Sequence, residues 1–272
     1  TIETEKITTM FAVPTMLQRL FESTDTATRD LSSLRTISYG GAPMPVEPLN
    51  GVIKKIGTTL LQIYGLTEAL HPLTTLRHAE HVPGNLKLGS IGKQTPFATI
   101  RLLDDDRNEV PTGEVGEMVV SGNSTMSGYW NNPEATDEAL KDGWIYTGDL
   151  AYCDEDGYFW IVDRKKDVII SGGFNVYSAE VEHTIAAHPD VAEVAVIGLP
   201  HKDWGELVCA IVLLHDGADL DDVQLSAFSR QRLAGYKSPK RIIIQQEPLP
   251  KNSAGKILKK KLIEKLTTKV TS

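Results

Sequence analysis

Six short blocks break this chain at intervals and in a fixed order, and they constrain its fold more than any other feature. They are Gly40-Gly41-Ala42-Pro43, Tyr64-Gly65-Leu66-Thr67-Glu68, Gly128-Tyr129-Trp130, Tyr146-Thr147-Gly148-Asp149, Asp163-Arg164-Lys165-Lys166-Asp167 and Pro250-Lys251-Asn252-Ser253-Ala254-Gly255-Lys256, spread over more than 200 residues. Leu34 to Tyr39 reads as a short strand ending in the first Gly-Gly turn. Pro48 to Ile56 reads as a helix, and Thr59 to Tyr64 as a second strand with the second block on the loop after it. A strand that delivers a polar loop to a common edge, twice over, is how open α/β sheets present ligand sites.

From about Gly89 the pattern changes to short strands between turn residues. Ile100 to Leu103 with Asp104 to Asn108 reads as a hairpin, and Gly116 to Ser121 and Gly157 to Val162 extend a small β-rich subdomain. After 163–167 the texture changes again. Val191 to Gly198, Leu207 to Leu214 and Arg241 to Gln245 read as strands, with helices at Ser178 to His188 and Asp221 to Leu233. Leu258, Leu262 and Leu266 fall at i, i+4, i+8, the stripe of an amphipathic helix. The expected organisation is therefore α/β with a β-rich subdomain over residues 1–165, then a compact α+β domain over 166–272.

A length of 272 residues suits two domains with buried cores. The net charge of −8 argues against a nucleic-acid partner, which leaves a basic footprint. No apolar run reaches the length of a membrane span, and Cys153 and Cys209 lack the spacing of a zinc site or disulfide framework, so a cytoplasmic setting is expected. The chain opens at Thr1, and residues 9–22 already read as a short apolar run, Pro14 and an amphipathic helix. That suggests a fragment entered midway.

Several side chains suit phosphate and nucleotide chemistry. Thr67 and Glu68 set a hydroxyl beside a carboxylate, a pair fitted to a phosphate oxygen and its Mg²⁺, which prefers one or two carboxylates plus substrate phosphates. A solvated turn is the bland alternative. Gly40-Gly41-Ala42-Pro43 offers flat backbone for a purine ring, or simply a tight turn needing positive φ. Asp149 follows a glycine, where an acidic side chain can accept ribose hydroxyls. Arg164-Lys165-Lys166 is by itself a solvated charge run, and Lys256 one of six lysines between 251 and 265. Asp104-Asp105-Asp106 sits at a hairpin tip and reads as a solvated turn, and Asp154-Glu155-Asp156-Gly157 lacks the closing Glu of a calcium loop.

Taken together, the blocks resemble the adenylate-forming superfamily, in its acyl-CoA synthetase branch. The resemblance implies the end of the large nucleotide-binding domain followed by the small mobile lid. It implies an acid–thiol ligase that activates a small-molecule carboxylic acid with ATP through an acyl-adenylate and passes the acyl group to CoA, with ATP/AMP, Mg²⁺ and CoA as ligands. By the same resemblance Gly40, Gly41, Ala42, Pro43 and Tyr64 lie at the adenine with Ile161 behind it, and Asp149 and Arg164 at the ribose. Thr67 touches the α-phosphate, Glu68 holds Mg²⁺ and Lys166 is the hinge. Lys256 meets the carboxylate and α-phosphate in one orientation of the lid. In the other, the Ser171-Gly172-Gly173 face opens a CoA channel, with Trp204, Tyr236 and Lys240 at CoA; Ser238 departs from the basic residue some relatives carry. Trp204 as a plain surface cap is the alternative.

The Ser/Thr/Gly-rich phosphate loop ending in Pro-Lys-Gly is absent, and Thr8-Thr9 is no substitute. The resemblance thus covers the later half of the family fold, and the expectation is a chain that needs its N-terminal half to turn over. Loading of a carrier protein, and a non-catalytic nucleotide-binding module, are the competing readings.

Overall fold

The computed structural model describes residues 1–23, 28–252 and 255–268, apart from the side chains of Glu22, Thr58, His71 and Thr268. The chain divides into two compact units, Thr1–Ile161 and Val162–Ser272.

The first unit opens on a sheet made of β1 (Thr9–Ala12), β2 (Thr36–Gly40), β3 (Leu60–Leu66), β4 (Ala69–Leu76) and β5 (Lys93–Gln94), in that spatial order. β1, β2 and β3 run parallel; β4 is antiparallel to β3, and β5 antiparallel to β4. Helix α1 (Pro14–Glu22) joins β1 to β2, and α2 (Val46–Ile56) joins β2 to β3. Pro14 starts α1 where no backbone N–H is needed and its fixed φ suits the first turn. Leu49, Val52 and Ile53 fall on one face of α2, and Gly57, at φ 65°, ends that helix by donating its N–H to the Ile53 carbonyl. These residues bury against Leu17, Phe21, Ile37, Tyr39 and Leu60 to form the core of this layer.

A second, antiparallel sheet follows. It contains β6 (Thr99–Leu103), β7 (Gly116–Ser121), β8 (Leu140–Lys141), β9 (Trp144–Cys153) and β10 (Phe159–Arg164), ordered β10-β9-β7-β6 with β8 beside β9. A short α3 (Pro133–Ala139) precedes β8, its first turn closed by the Asn132 side chain. Alternation puts Ile100, Leu102, Met118, Val120 and Ile145 on the buried face.

In the second unit, β11 (Ile169–Ser171), β12 (Phe174–Val176), β13 (Val191–His201), β14 (Gly205–Leu214) and β15 (Arg241–Gln245) form one sheet ordered β12-β11-β14-β13, with β15 parallel to β14. Its helices are α4 (Ser178–Ala186), α5 (Asp222–Arg230) and α6 (Lys259–Thr268). The apolar runs of β13 and β14 are nearly continuous because both faces are covered. Val196, Val208, Ala210 and Val212 meet Val181, Ile185 and Leu225 of α4 and α5; Ala195, Ile197, Cys209 and Ile211 meet Leu262 and Leu266 of α6. The i, i+4 spacing of those two leucines is what sets α6 on the sheet. Among the described residues no helix is long and apolar enough to cross a membrane.

Candidate nucleotide and lysine-loop sites

Each unit carries its own set of candidate residues. In the first, the Tyr64–Glu68 block is not a loop after a strand, as the spacing predicts. β3 continues through Tyr64, Gly65 and Leu66, and only Thr67 and Glu68 turn the chain into β4. Pro72 hides β4 from sequence reading because a proline donates nothing to a ladder, and here the strand takes up the irregular register between Tyr64 and Leu66. Gly40 ends β2 directly beside this region. A Cβ there would lie 2.1 Å from the Ile63 carbonyl oxygen, so only glycine lets β2 and β3 approach. Gly41, at φ 81°, then turns an exposed Gly41-Ala42-Pro43 stretch out of the carboxyl end of the strand.

Asp149 also departs from expectation: it sits inside β9, not after a turn. Glu117 pairs with Leu150 and Val119 with Tyr146, so Thr147-Gly148-Asp149 bulges out of the ladder, with Gly148 at φ 69°. The Thr147 hydroxyl donates to the Met118 carbonyl at 2.7 Å and accepts the Asp149 N–H at 3.0 Å, which fixes the bulge. The bulge aims the buried Asp149 carboxylate at Tyr64, whose phenol donates to Oδ2 at 2.5 Å. A bond to a charged acceptor is about twice as strong as a neutral one. Three of the sequence blocks thus converge: the Gly40–Pro43 turn, Tyr64 and Asp149. Ile161 is half-buried against the core of the second sheet.

Glu68 is held by Tyr129 of the Gly128-Tyr129-Trp130 block, a residue whose role the sequence alone does not reveal. Tyr129 donates its phenol to Glu68 Oε1 at 2.7 Å, a bond that raises the tyrosine's own pKa. The Glu68 carbonyl accepts the Met126 N–H at 2.7 Å, which ties the Gly128-Tyr129-Trp130 segment to the turn. Thr67 beside it is exposed. The exposed hydroxyl and the half-buried carboxylate are hard oxygen donors and fit a magnesium ion shared with phosphate. Among the described residues no group of three or more His, Cys, Asp or Glu gathers to hold a metal without such help.

In the second unit, Arg164 closes β10, and Lys166 is exposed in a single 3₁₀ turn, Lys165–Asp167. Gly172 and Gly173, at φ 59° and 81°, make a two-residue hairpin between β11 and β12. Gly172 donates its N–H to the Trp204 carbonyl at 2.8 Å, and a Cβ on it would lie 2.8 Å from the indole. Lys240 Nζ stands 5.6 Å from the centre of the Trp204 ring. Phe174 and Tyr236, both exposed, pack with ring centroids 4.9 Å apart. Phe174 was not singled out from the sequence; its one signal is a large apolar residue directly after a two-glycine turn. Ser238 is buried, its hydroxyl turned to the Ala234 carbonyl, which explains why no basic side chain stands there.

Lys256 is exposed at the end of a loop closed by its own backbone. Asn252 donates its N–H to the Lys256 carbonyl at 2.9 Å, and Asn252 Oδ1 accepts the Lys256 N–H at 2.9 Å. Ser253 and Ala254 of this block lie outside the described residues. In the Asp104-Asp105-Asp106 run, Asp104 caps the hairpin tip through the Asn108 N–H. Burial alone would raise the Asp154 carboxyl, but hydrogen bonds from Lys87, Trp160 and the Tyr158 backbone outweigh it and hold the group at about 2.

Comparison with known proteins agrees with this architecture. The AMP-binding enzyme family model matches residues 1–130, and the model of the AMP-binding enzyme C-terminal domain matches residues 180–256. The chain belongs to this adenylate-forming superfamily. A feruloyl-CoA synthase of an Amycolatopsis species is 46% identical over 95% of the chain and 52% of the relative. A medium/long-chain-fatty-acid–CoA ligase of Mycobacterium tuberculosis is 42% identical over 95% of the chain and 46% of the relative. An amide bond synthetase from Marinactinospora thermotolerans superposes with a TM-score of 0.89 at 39% identity, covering 98% of the chain and 54% of that structure. The chain spans about half the length of the curated relatives it matches.

Proposed function

We propose that this chain is the later half of an acyl-CoA synthetase, which joins a carboxylic acid to CoA through an acyl-adenylate. The observation that carries the nucleotide assignment is the 2.5 Å bond from Tyr64 to Asp149, made beside the Gly40–Pro43 turn. It sets an aromatic ring, a flat stretch of backbone and a buried carboxylate within one small region of the first unit. Those are the groups that bind a purine, its edge and the ribose hydroxyls. Asp149, ordered by the bulge and by Tyr64, accepts from the ribose without having to reorganise. Arg164 serves the ribose and phosphate side, and Ile161 backs the base.

Thr67 donates to the α-phosphate. Glu68 would hold Mg²⁺, which would offset phosphate charge there. Lys256 supplies a point charge to the crowded α-phosphorus as the carboxylate displaces pyrophosphate. Lys166, at the head of the second unit, serves as hinge. The Gly172-Gly173 hairpin, Trp204, Tyr236 and Lys240 receive CoA: glycines without side chains let a pantetheine arm pass, and the ring and ammonium suit an adenine and a phosphate.

The test is AMP release by the full-length natural polypeptide across a carboxylate panel, with and without CoA. AMP release that needs both acid and CoA supports the ligase. Adenylation that ignores CoA but responds to an amine or a carrier protein would move the acceptor, and the likeness to an amide bond synthetase makes an amine the first alternative to try. Lys256→Ala is expected to slow adenylation about 10²–10³-fold, the usual cost of losing one charge-stabilising contact in a transition state. Thioester formation from added acyl-adenylate should be nearly untouched.

A further inference from the structure

The second unit contains a half-buried ionic cluster, backed by the buried Ser178 and Asp163, that the proposed chemistry does not use. Lys259, in the first turn of α6, places Nζ 2.7 Å from Glu182 Oε1 and 2.6 Å from the Ser178 hydroxyl. Ser178 is fully buried and donates onward to Asp163 Oδ2 at 2.8 Å. Asp163, itself buried, also accepts the N–H groups of Ala179 at 3.2 Å and Arg164 at 2.7 Å. Glu182 accepts the Val196 N–H at 2.8 Å through the same oxygen that meets Lys259. Burial pushes the Glu182 carboxyl up, and the Lys259 charge works against that shift.

Such a cluster is weak evidence for stability, because the cost of desolvating its charges can exceed their attraction. Its position in the chain is more telling. Lys259 lies three residues after Lys256, and Asp163 directly precedes Arg164. The other foot of the loop is held in the same manner: Glu193 on β13 accepts from Lys251 Nζ at 2.6 Å and from the Leu249 N–H at 3.0 Å. The Leu258 N–H donates to the Pro250 carbonyl at 2.8 Å and closes the neck between the two feet. A long lysine side chain has many rotamers, and a point charge contributes to a transition state only where it is held.

We propose that Lys259 is a positioning residue for Lys256. It does so by holding the foot of the lysine loop on α4 through Glu182 and Ser178. The inference rests on the reading of Lys256 as the adenylation lysine.

The test compares Lys259→Met, Lys259→Arg and Ser178→Ala with Lys256→Ala. Amide exchange is read in the 272-residue chain, and the two half-reactions in the full-length natural polypeptide. In Lys259→Met, exchange at Gly255 and Lys256 is expected to quicken about tenfold or more while β13 and β14 keep their protection, the pattern of a local opening. Adenylation kcat should fall about ten- to a hundredfold with KM for the acid nearly constant, as a small misplacement of a reacting group does. Lys259→Arg should restore most of both. Ser178→Ala, a smaller change that cuts the link to Asp163, should show the same pattern more weakly. Unchanged exchange and kcat in Lys259→Met, with Lys256→Ala inactive in adenylation, would overturn the proposal. So would a loss of protection throughout the second unit with both half-reactions slowed alike. Full adenylation in Lys256→Ala would instead overturn the reading beneath it, whatever Lys259→Met does to exchange.

Discussion

The two units present their candidate residues in opposite ways. In the first, Tyr64 and Asp149 lie inside strands β3 and β9, and the ladder is distorted to aim them. In the second, Gly172, Gly173 and Lys256 lie on turns, and hydrogen bonds and ion pairs hold the ends of those turns. A strand holds its side chains rigidly but alternates them between two faces, so a bulge is needed to bring one to a chosen point. A turn reaches out freely but needs clamping. The first arrangement suits a site that binds in one geometry, the second a site that travels.

If that contrast holds, damage to the strand-borne Tyr64 and Asp149 of the first unit should register as lost affinity, and damage to the turn backbone of the second as lost stability or order. The largest expected effect is Asp149→Ala. Removing one partner of a buried, hydrogen-bonded pair commonly costs about 2–5 kcal/mol. AMP affinity measured by calorimetry on the full-length natural polypeptide should therefore fall by about two orders of magnitude. Unchanged affinity would take Asp149 out of the nucleotide site. Tyr64→Phe leaves the carboxylate in place without its phenol, and a hydrogen bond to a charged group is worth about 1.5–3 kcal/mol, so AMP affinity should drop by about ten- to a hundredfold.

Gly172→Ala probes the other side of the comparison. Its φ of 59° strains any L-residue, by about 1–2 kcal/mol, and the added methyl would lie against the Trp204 ring. A lower melting temperature with altered tryptophan fluorescence is expected, and AMP affinity should stay as it was.

Asp154 makes an acid test of the first unit's frame. Its folded pKa, about 2, lies below the ordinary 3.8, so its contribution is complete above about pH 4 and is lost as pH falls towards 2. Asp154→Asn should flatten that part of the stability–pH curve and lower stability at neutral pH by about 1–2 kcal/mol. The smallest effect belongs to Tyr129→Phe. Its exposed bond to Glu68 is worth less than about 1 kcal/mol in stability, so a normal melting temperature with a several-fold higher magnesium requirement for activity is the expected pair of results.

Local features of this kind are legible in sequence because they depend on near neighbours. The helix over α2, the leucine stripe of α6 and the strand β15 follow from residue spacing, and β15 is observed at the predicted bounds, Arg241–Gln245. The Gly40 turn and the Gly172-Gly173 hairpin are announced by residues that alone tolerate positive φ or close approach. β4 was hidden by Pro72, and the strand character of Tyr64–Leu66 and Asp149 by glycines that read as turns but serve in irregular ladders.

Residue types and their order determined the family, the element types and the short list of chemically able side chains. Which of them meet was decided elsewhere. Tyr64 reaches Asp149 across 85 positions, Tyr129 reaches Glu68 across 61, and Lys259 reaches Ser178 across 81. No local periodicity encodes such pairs. They exist because strand register, a bulge and the packing of α4 and α6 on opposite faces of one sheet bring distant backbone together, and a hydrogen bond forms only where that geometry allows it.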